Sequence, residues 1–72
     1  MKIATYEKLY NFFTKLNYSL NLINNNVFIL KDNIDDKKYH RLKNYSPSLF
    51  NDVIEFNIYN SLYVFLRNNK NN

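Results

Sequence analysis

Cation and aromatic pairs at helical spacing are the residues of this chain best suited to bind a ligand. Lys8 stands four residues before Phe12, and Arg41 stands four residues before Tyr45. On a helix this spacing places a cation beside an aromatic ring. Cations neutralise phosphates, and exposed rings stack on unpaired bases. We therefore predict a surface that binds nucleic acid or another partner through Lys8, Phe12, Lys15, Lys37, Lys38, Arg41 and Tyr45.

The same residues also have a simpler interpretation, in which the lysines are the solvated face of each helix and the rings pack locally. The formal net charge of +4 favours an acidic partner without requiring one. The expected partner is nucleic acid, with RNA favoured over DNA, or an acidic protein surface. A homodimer is also compatible with so small a chain, because one domain of this size buries only about 60% of its unfolded surface.

A weaker hypothesis concerns His40, the one histidine of the chain. Tyr39, His40 and Arg41 are consecutive and supply a phenol, a general base and a cation. Metal-independent ribonuclease toxins can work with such groups. A plain surface histidine is the simpler interpretation, so we expect no catalytic residue and a protein that is not an enzyme.

The composition excludes several kinds of site. There is no glycine, which excludes the glycine-rich loops that hold nucleotide phosphates. There is no cysteine, which excludes disulfides, thiolate zinc sites and a cysteine nucleophile. Asp32, Asp35 and Asp36 lack the spacing of a calcium loop and are expected to cap a helix instead. We therefore expect neither a metal nor a cofactor.

Two helices are predicted to carry the cations. The first helix is predicted over residues 5–17, with Thr5 as its N-cap. Apolar side chains recur there at helical spacing, at Tyr6, Leu9, Tyr10, Phe13 and Leu16. A second helix is predicted over residues 37–44, capped by Asp35 or Asp36 and ended by the sequence Ser-Pro-Ser at 46–48. Because serine before proline also favours a helix start, a short turn can follow at 49–52.

Two hairpins are predicted to form the sheet. In residues 20–31, Leu20 and Leu22 alternate with Asn21, three asparagines at 24–26 interrupt the pattern, and an apolar run rich in strand-preferring residues follows at 27–30. Asparagine tolerates the left-handed backbone of a tight turn. Residues 56–67 repeat this pattern. The alternative for residues 53–66 is one long helix, because apolar residues also recur there every fourth position; alternation and β-branched residues favour the hairpin.

The hairpins and helices also match one another along the chain. Asn21 matches Asn57 at a spacing of 36 (57 − 21), and Tyr6 matches Tyr39 at a spacing of 33 (39 − 6). These matches suggest tandem α-β-β half-repeats at 4–33 and 37–69, although chance is a serious alternative in a chain so rich in asparagine. Asn21 and Asn57 are expected to lie together on a polar sheet face, opposite Leu20, Leu22, Phe56 and Ile58.

We conclude from the sequence that residues 1–72 form a single small α+β domain, with a polar tail at 68–72. Two helices pack on a four-stranded, largely antiparallel sheet. Neither a signal peptide nor a membrane span fits the sequence, so a cytoplasmic protein is expected. The leading function is a small non-enzymatic protein that binds nucleic acid or a ribonucleoprotein. The alternative is an inhibitor, encoded by a phage or mobile element, that blocks a host protein; the composition suggests an A+T-rich genome of viral, phage or organelle type.

Overall fold

The structure, a computed structural model, describes residues 5–59 and 61–68. Its elements, in chain order, are α1 Thr5–Lys15, β1 Leu20–Asn24, β2 Val27–Leu30, α2 Asp36–Tyr45, a 3₁₀ turn Pro47–Phe50, β3 Val53–Tyr59 and β4 Leu62–Arg67. The strands form one antiparallel sheet in the order β1-β2-β4-β3. The predicted α+β fold is therefore confirmed, and residues 53–66 form a hairpin rather than a helix. The predicted tail at 68–72 lies outside the described residues except for Asn68. The outer limits of the predicted half-repeats, residues 4 and 69, also lie outside them.

The helix α1 ends two residues earlier than predicted because Asn17 adopts the left-handed conformation, with φ of 65°. The N–H of Asn17 donates to the carbonyl of Thr14, and the N–H of Tyr18 donates to the carbonyl of Phe13. The ring of Tyr18 also meets the ring of Phe13 edge to face, at 5.8 Å between centroids. These bonds and this contact are a Schellman motif, which fixes the direction of the chain after α1.

The turn between β1 and β2 uses its asparagines differently from the prediction. The side-chain oxygen of Asn24 accepts a hydrogen bond from the N–H of Asn26, at 2.7 Å. Among the described residues only Asn17 and Ser61 have positive φ, so the predicted left-handed turn is wrong. The asparagine amide closes the turn with its side chain instead. In the second hairpin, Ser61 has φ of 65°.

The limits of α2 agree closely with the prediction. Asp35 is the N-cap, and its carboxylate accepts the N–H of Lys38 at 2.7 Å. The helix ends at Tyr45, and Pro47 begins the short 3₁₀ turn. Proline is well placed there because the first residue of a helical turn needs no N–H donor.

The core is aromatic and is centred on Phe65 in β4. Its ring stacks on Phe28 of β2 at 4.8 Å, and it also meets Phe13 of α1 at 5.6 Å. Tyr39 of α2 and Phe50 of the 3₁₀ turn approach it at 6.3 and 6.5 Å. Every layer of the fold therefore contacts one ring on a central strand.

The sheet has one face that packs on the helices and one face that no described element covers. We call the second the open face, and the strand register assigns to it Val27, Ile29, Ile54, Phe56, Val64 and Leu66. Val64 is buried, yet it lies outside the core cluster. The prediction of a shared polar face is wrong, because Asn21 pairs with Ile29 on the open face whereas Asn57 pairs with Tyr63 on the helix side.

The element order is α-β-β followed by α-β-β, but the matches at a spacing of 36 do not relate equivalent positions of the sheet. Leu30 is buried in the core, whereas Leu66, 36 residues later, pairs with Val27 and Ile54 on the open face. Successive side chains of a strand point to opposite faces, so an offset wrong by one residue exchanges the two faces. Whether the halves arose by duplication stays a prediction.

The tyrosines of the core dock α2 on the sheet. The rings of Tyr39 and Tyr63 stack at 4.0 Å, and the hydroxyl of Tyr63 donates to the carboxylate of Asp36. Burial, with a smaller contribution from this bond to Asp36, raises the pKa of Tyr63 to about 12. Burial also raises the pKa of Tyr6 to about 12, although the nearby Arg67 opposes the shift. Burial raises the pKa of Tyr39 as well.

Truncation of the central ring should destabilise the whole domain. Phe65→Ala should cost about 3–5 kcal/mol, because the lost ring leaves a cavity that its neighbours fill only in part. A chain of 72 residues has about 4–11 kcal/mol in total, so much of the stability should be lost. Urea unfolding followed by circular dichroism measures the change. Tyr45→Ala is the matched control, since Tyr45 is 81% exposed and should change the free energy of unfolding little; equal losses in the two variants would contradict the assigned core.

Stability should fall in alkaline solution. The folded protein holds the phenolic protons of Tyr6 and Tyr63 up to a pKa of about 12, whereas tyrosines of the unfolded chain titrate near 10. Their stabilising contribution is therefore complete below pH 10 and is lost as the pH rises from 10 to 12. Urea unfolding between pH 8 and 12 measures the loss. Tyr63→Phe should reduce the slope of free energy against pH in that interval by about 1.4 kcal/mol per pH unit, which corresponds to one proton; an unchanged slope would contradict a buried Tyr63.

Candidate nucleic-acid interface

The cations predicted to bind a partner are all exposed on the helices. Lys8 and Lys15 lie on α1, and Lys37, Lys38 and Arg41 lie on α2. Within residues 5–59 and 61–68, none of these five forms an ion pair; the two ion pairs there are Lys43 with Glu55 and Arg67 with Glu7. Both helices lie on the same side of the sheet, so the five charges share the helix layer.

The carboxylates that could neutralise these cations are bound within the fold. Besides the two ion pairs, three acidic residues accept hydrogen bonds: Asp32 from the N–H of Ser19, Asp35 from the N–H of Lys38, and Asp36 from the hydroxyl of Tyr63. These contacts use five of the six acidic side chains of the chain. A carboxylate that accepts a hydrogen bond keeps its charge, so the helix layer is positive because α1 and α2 together carry six cations against the two carboxylates of Glu7 and Asp36.

Tyr18 contacts one of the predicted interface residues and is itself a residue that the sequence prediction missed. The Schellman motif after α1 turns its ring toward α2, where the Nζ of Lys38 lies 5.6 Å from the ring centroid. Lys15 is in the last turn of α1, and Lys37 is in the first turn of α2. The asparagine at position 17, followed by an aromatic residue, is the signal that could have revealed this arrangement.

The two aromatic residues predicted for the interface have different surroundings. Tyr45 is 81% exposed and lies one turn after Arg41, as predicted. Phe12 is half-buried: it packs against the core and meets Phe13 at 5.6 Å between ring centroids. Because the ring of Phe12 is partly covered, Tyr45 is the better platform for a stacked base.

The residues of the ribonuclease hypothesis have different surroundings on α2, although the rings of Tyr39 and His40 meet edge to face at 5.9 Å between centroids. His40 and Arg41 are exposed, but Tyr39 is buried and stacks on Tyr63 in the core. One helix turn spans nearly four residues, so consecutive side chains point in different directions. The phenol of Tyr39 therefore faces the protein interior while His40 faces solvent.

A cleft of about 180 Å³ lies beside the N-terminal half of α1, and the sequence prediction did not include it. It is lined by Tyr6, Glu7, Tyr10, Asn11, Leu22, Asn25 and Arg67. The guanidinium of Arg67 lies 4.8 Å from the ring of Tyr6 and pairs with Glu7. The cleft is smaller than the 300–1,000 Å³ typical of small-molecule sites. We assign it a structural role, in which Arg67 ties the end of β4 to α1.

Comparisons of the chain with protein-family models, with curated proteins and with solved structures find no match. Two further observations concern sites of other kinds. No helix in the described part of the chain has the length and apolar character needed to cross a membrane. Among the described residues, no three His, Asp or Glu side chains form a group that could hold a metal ion. Function therefore has to be inferred from the surfaces of this chain.

The cap of α2 should control the stability of the segment that presents Lys37 and Lys38. Asp35→Ala removes the carboxylate that accepts the N–H of Lys38 and should cost about 1 kcal/mol. For a domain of this size the melting temperature should fall by about 4–8 °C. Asp35→Ser is the matched control, because a serine hydroxyl also caps a helix, and it should recover most of the loss in a thermal melt. Equal melting temperatures for the alanine variant and the wild type would contradict this cap.

Proposed function

We propose that this protein is a small non-enzymatic binding protein that engages nucleic acid, with RNA favoured over DNA, through the helix layer. The observation that carries the proposal is the set of five exposed cations, Lys8, Lys15, Lys37, Lys38 and Arg41, without ion-pair partners among the described residues. Unpaired surface cations keep their full charge for phosphates, and the counterions that they release drive binding. A cytoplasmic location, where RNA is abundant, is part of the proposal.

The position of Lys37 and Lys38 supports a role other than helix stability. Both lie in the first turn of α2, where the positive end of the helix dipole disfavours cations. Asp35 and Asp36 offset this cost, but the carboxylate of Asp36 also accepts the hydroxyl of Tyr63. A sequence selected for helix stability alone would place lysines in the last turn. Cations kept against the local preference are typical of functional positions.

The tyrosines of the helix layer add a second kind of contact. Tyr45 exposes its ring one turn from Arg41, so a base stacked on Tyr45 would bring its phosphate near a guanidinium. The ring of Tyr18, three residues after α1, lies 5.6 Å from the Nζ of Lys38 on α2. Stacking on exposed rings suits unpaired bases, which favours single-stranded or looped RNA over a duplex.

A salt series on alanine variants tests the proposal. Fluorescence anisotropy would measure the affinity of the protein for labelled single-stranded RNA and DNA between 50 and 500 mM salt. Removal of Lys8, Lys15, Lys38 or Arg41 should each reduce the slope of log K against log salt by about 0.7 for a phosphate contact on a single strand. Tyr45→Ala should weaken binding by about 1–3 kcal/mol and leave the slope unchanged, because stacking releases no counterion.

Lys43→Gln is the matched control for these variants. It lies on the same helix α2 and changes the net charge by the same amount, but Glu55 already pairs with Lys43 at 2.5 Å. The slope of the control should therefore equal that of the wild type. A control slope that falls as much as that of Lys38→Ala would show a dependence on net charge alone. No binding to either nucleic acid at 50 mM salt would refute the proposal, and the inhibitor hypothesis would then be the one to pursue.

A further inference from the structure

The open face of the sheet is apolar except at the edge strand β1, where Asn21 and Asn24 pair with Ile29 and Val27. Its strand positions defined above are valine, isoleucine, leucine and phenylalanine, joined by Asn21 on the edge strand β1. Ile54 is 45% exposed and Phe56 is 37% exposed, although both belong to residue types that usually lie inside a protein. An apolar sheet face without a covering layer is a candidate site of association.

The described strands place no charged side chain on this face, although the exposed Lys31 follows directly at the end of β2. The four described strands contain two charged residues, Glu55 and Arg67. Glu55 pairs with Lys43 of α2, and Arg67 pairs with Glu7 of α1, so both point toward the helices. A chain of net charge +4 would repel its own copy through most of its surface, but not through the open face.

We propose that the open face is the interface of a homodimer, in which two copies pack sheet against sheet. The same flat apolar surface on both copies is complementary to itself about a two-fold axis, as an isologous interface requires. β-branched side chains of two facing sheets interdigitate across about 10 Å, as in a β-sandwich. The described strands offer no cation on this face to an acidic partner or a nucleic acid, which makes such an occupant less favourable than a second copy.

The size of the face predicts a reversible dimer. The four strands contain 5, 4, 7 and 6 residues, so their mean length is about 19 Å and, at about 4.8 Å between strands, the face covers ~19 by ~19 Å, or ~360 Å² for each copy. Two copies therefore bury ~720 Å² before the relief of the side chains is counted, which is below the standard interface of about 1,600 Å² and corresponds to a weak association. We expect a dissociation constant in the micromolar range, which is ~8 kcal/mol of binding free energy.

Analytical ultracentrifugation of the full chain tests this inference. Between 1 and 500 μM the mass should rise from 8.8 kDa toward 17.6 kDa (2 × 8.8). Ile54→Lys should weaken association by more than about 30-fold, because each copy would bury a lysine in the interface. The matched control is Leu16→Lys, since Leu16 is also 45% exposed but follows α1, on the far side of the sheet; its association should equal that of the wild type.

A second measurement on the wild type removes any dependence on how the variants fold. In a mixture of isotope-labelled and unlabelled protein, nuclear Overhauser effects between different copies should join the side chains of Ile54, Phe56 and Val64. A chain that stays monomeric at 500 μM would overturn the inference, as would a dimer whose intermolecular contacts lie outside the open face. Equal weakening by Leu16→Lys and Ile54→Lys would also overturn it. None of these results depends on whether the helix layer binds nucleic acid.

Discussion

The ring of Phe65 is the contact on which the other parts of this structure depend. It lies on the central strand β4 and touches rings from β2, α1, α2 and the 3₁₀ turn. A domain of 72 residues has room for few side chains that no solvent reaches, so each must serve several elements. Aromatic rings suit this requirement because each buries about 150–250 Å² with only two rotatable bonds. Docking of both helices on one side of the sheet follows from this shared contact.

That docking separates the surface of the molecule by charge. The ion pairs Lys43–Glu55 and Arg67–Glu7 each join a helix to a strand, and both lie on the side where the helices pack. The carboxylates of Glu55 and Glu7 therefore form ion pairs between the helices and the sheet. The lysines that form no ion pair among the described residues lie on the outer surfaces of the helices. On the opposite side of the sheet the described strands carry mainly apolar residues and no charge. One side of the protein is consequently rich in cations and the other in apolar side chains.

The sequence predicted the positions of the helices and strands better than it predicted which face of the sheet each side chain occupies. Alternation in residues 53–59 and the carboxylate before α2 are local signals, and both led to correct assignments because short-range sterics and capping decide them. The prediction that Asn21 and Asn57 share one face of the sheet was wrong, because the face on which each lies depends on the register between strands that are distant in sequence. A β-bulge lies in β1 between Leu22 and Asn24, and another lies in β3 between Asn57 and Tyr59. The contact of Tyr18 with Lys38 was missed for the same reason, since it joins two elements that are separate in sequence.

The two bulges also bear on how copies of this chain can associate. Both bulges lie on the edge strands β1 and β3, where unpaired N–H and C=O groups could otherwise bind another chain. A bulge twists an edge strand and interrupts its ladder, and exposed polar residues such as Asn21 and Asn57 weaken edge pairing further. Edge-to-edge association is open-ended and leads to fibres, whereas packing through one face closes after two copies. Because the edge strands β1 and β3 resist pairing whereas the open face is apolar, a closed dimer is favoured over aggregation. In such a dimer the cations on the helices point outward from both copies.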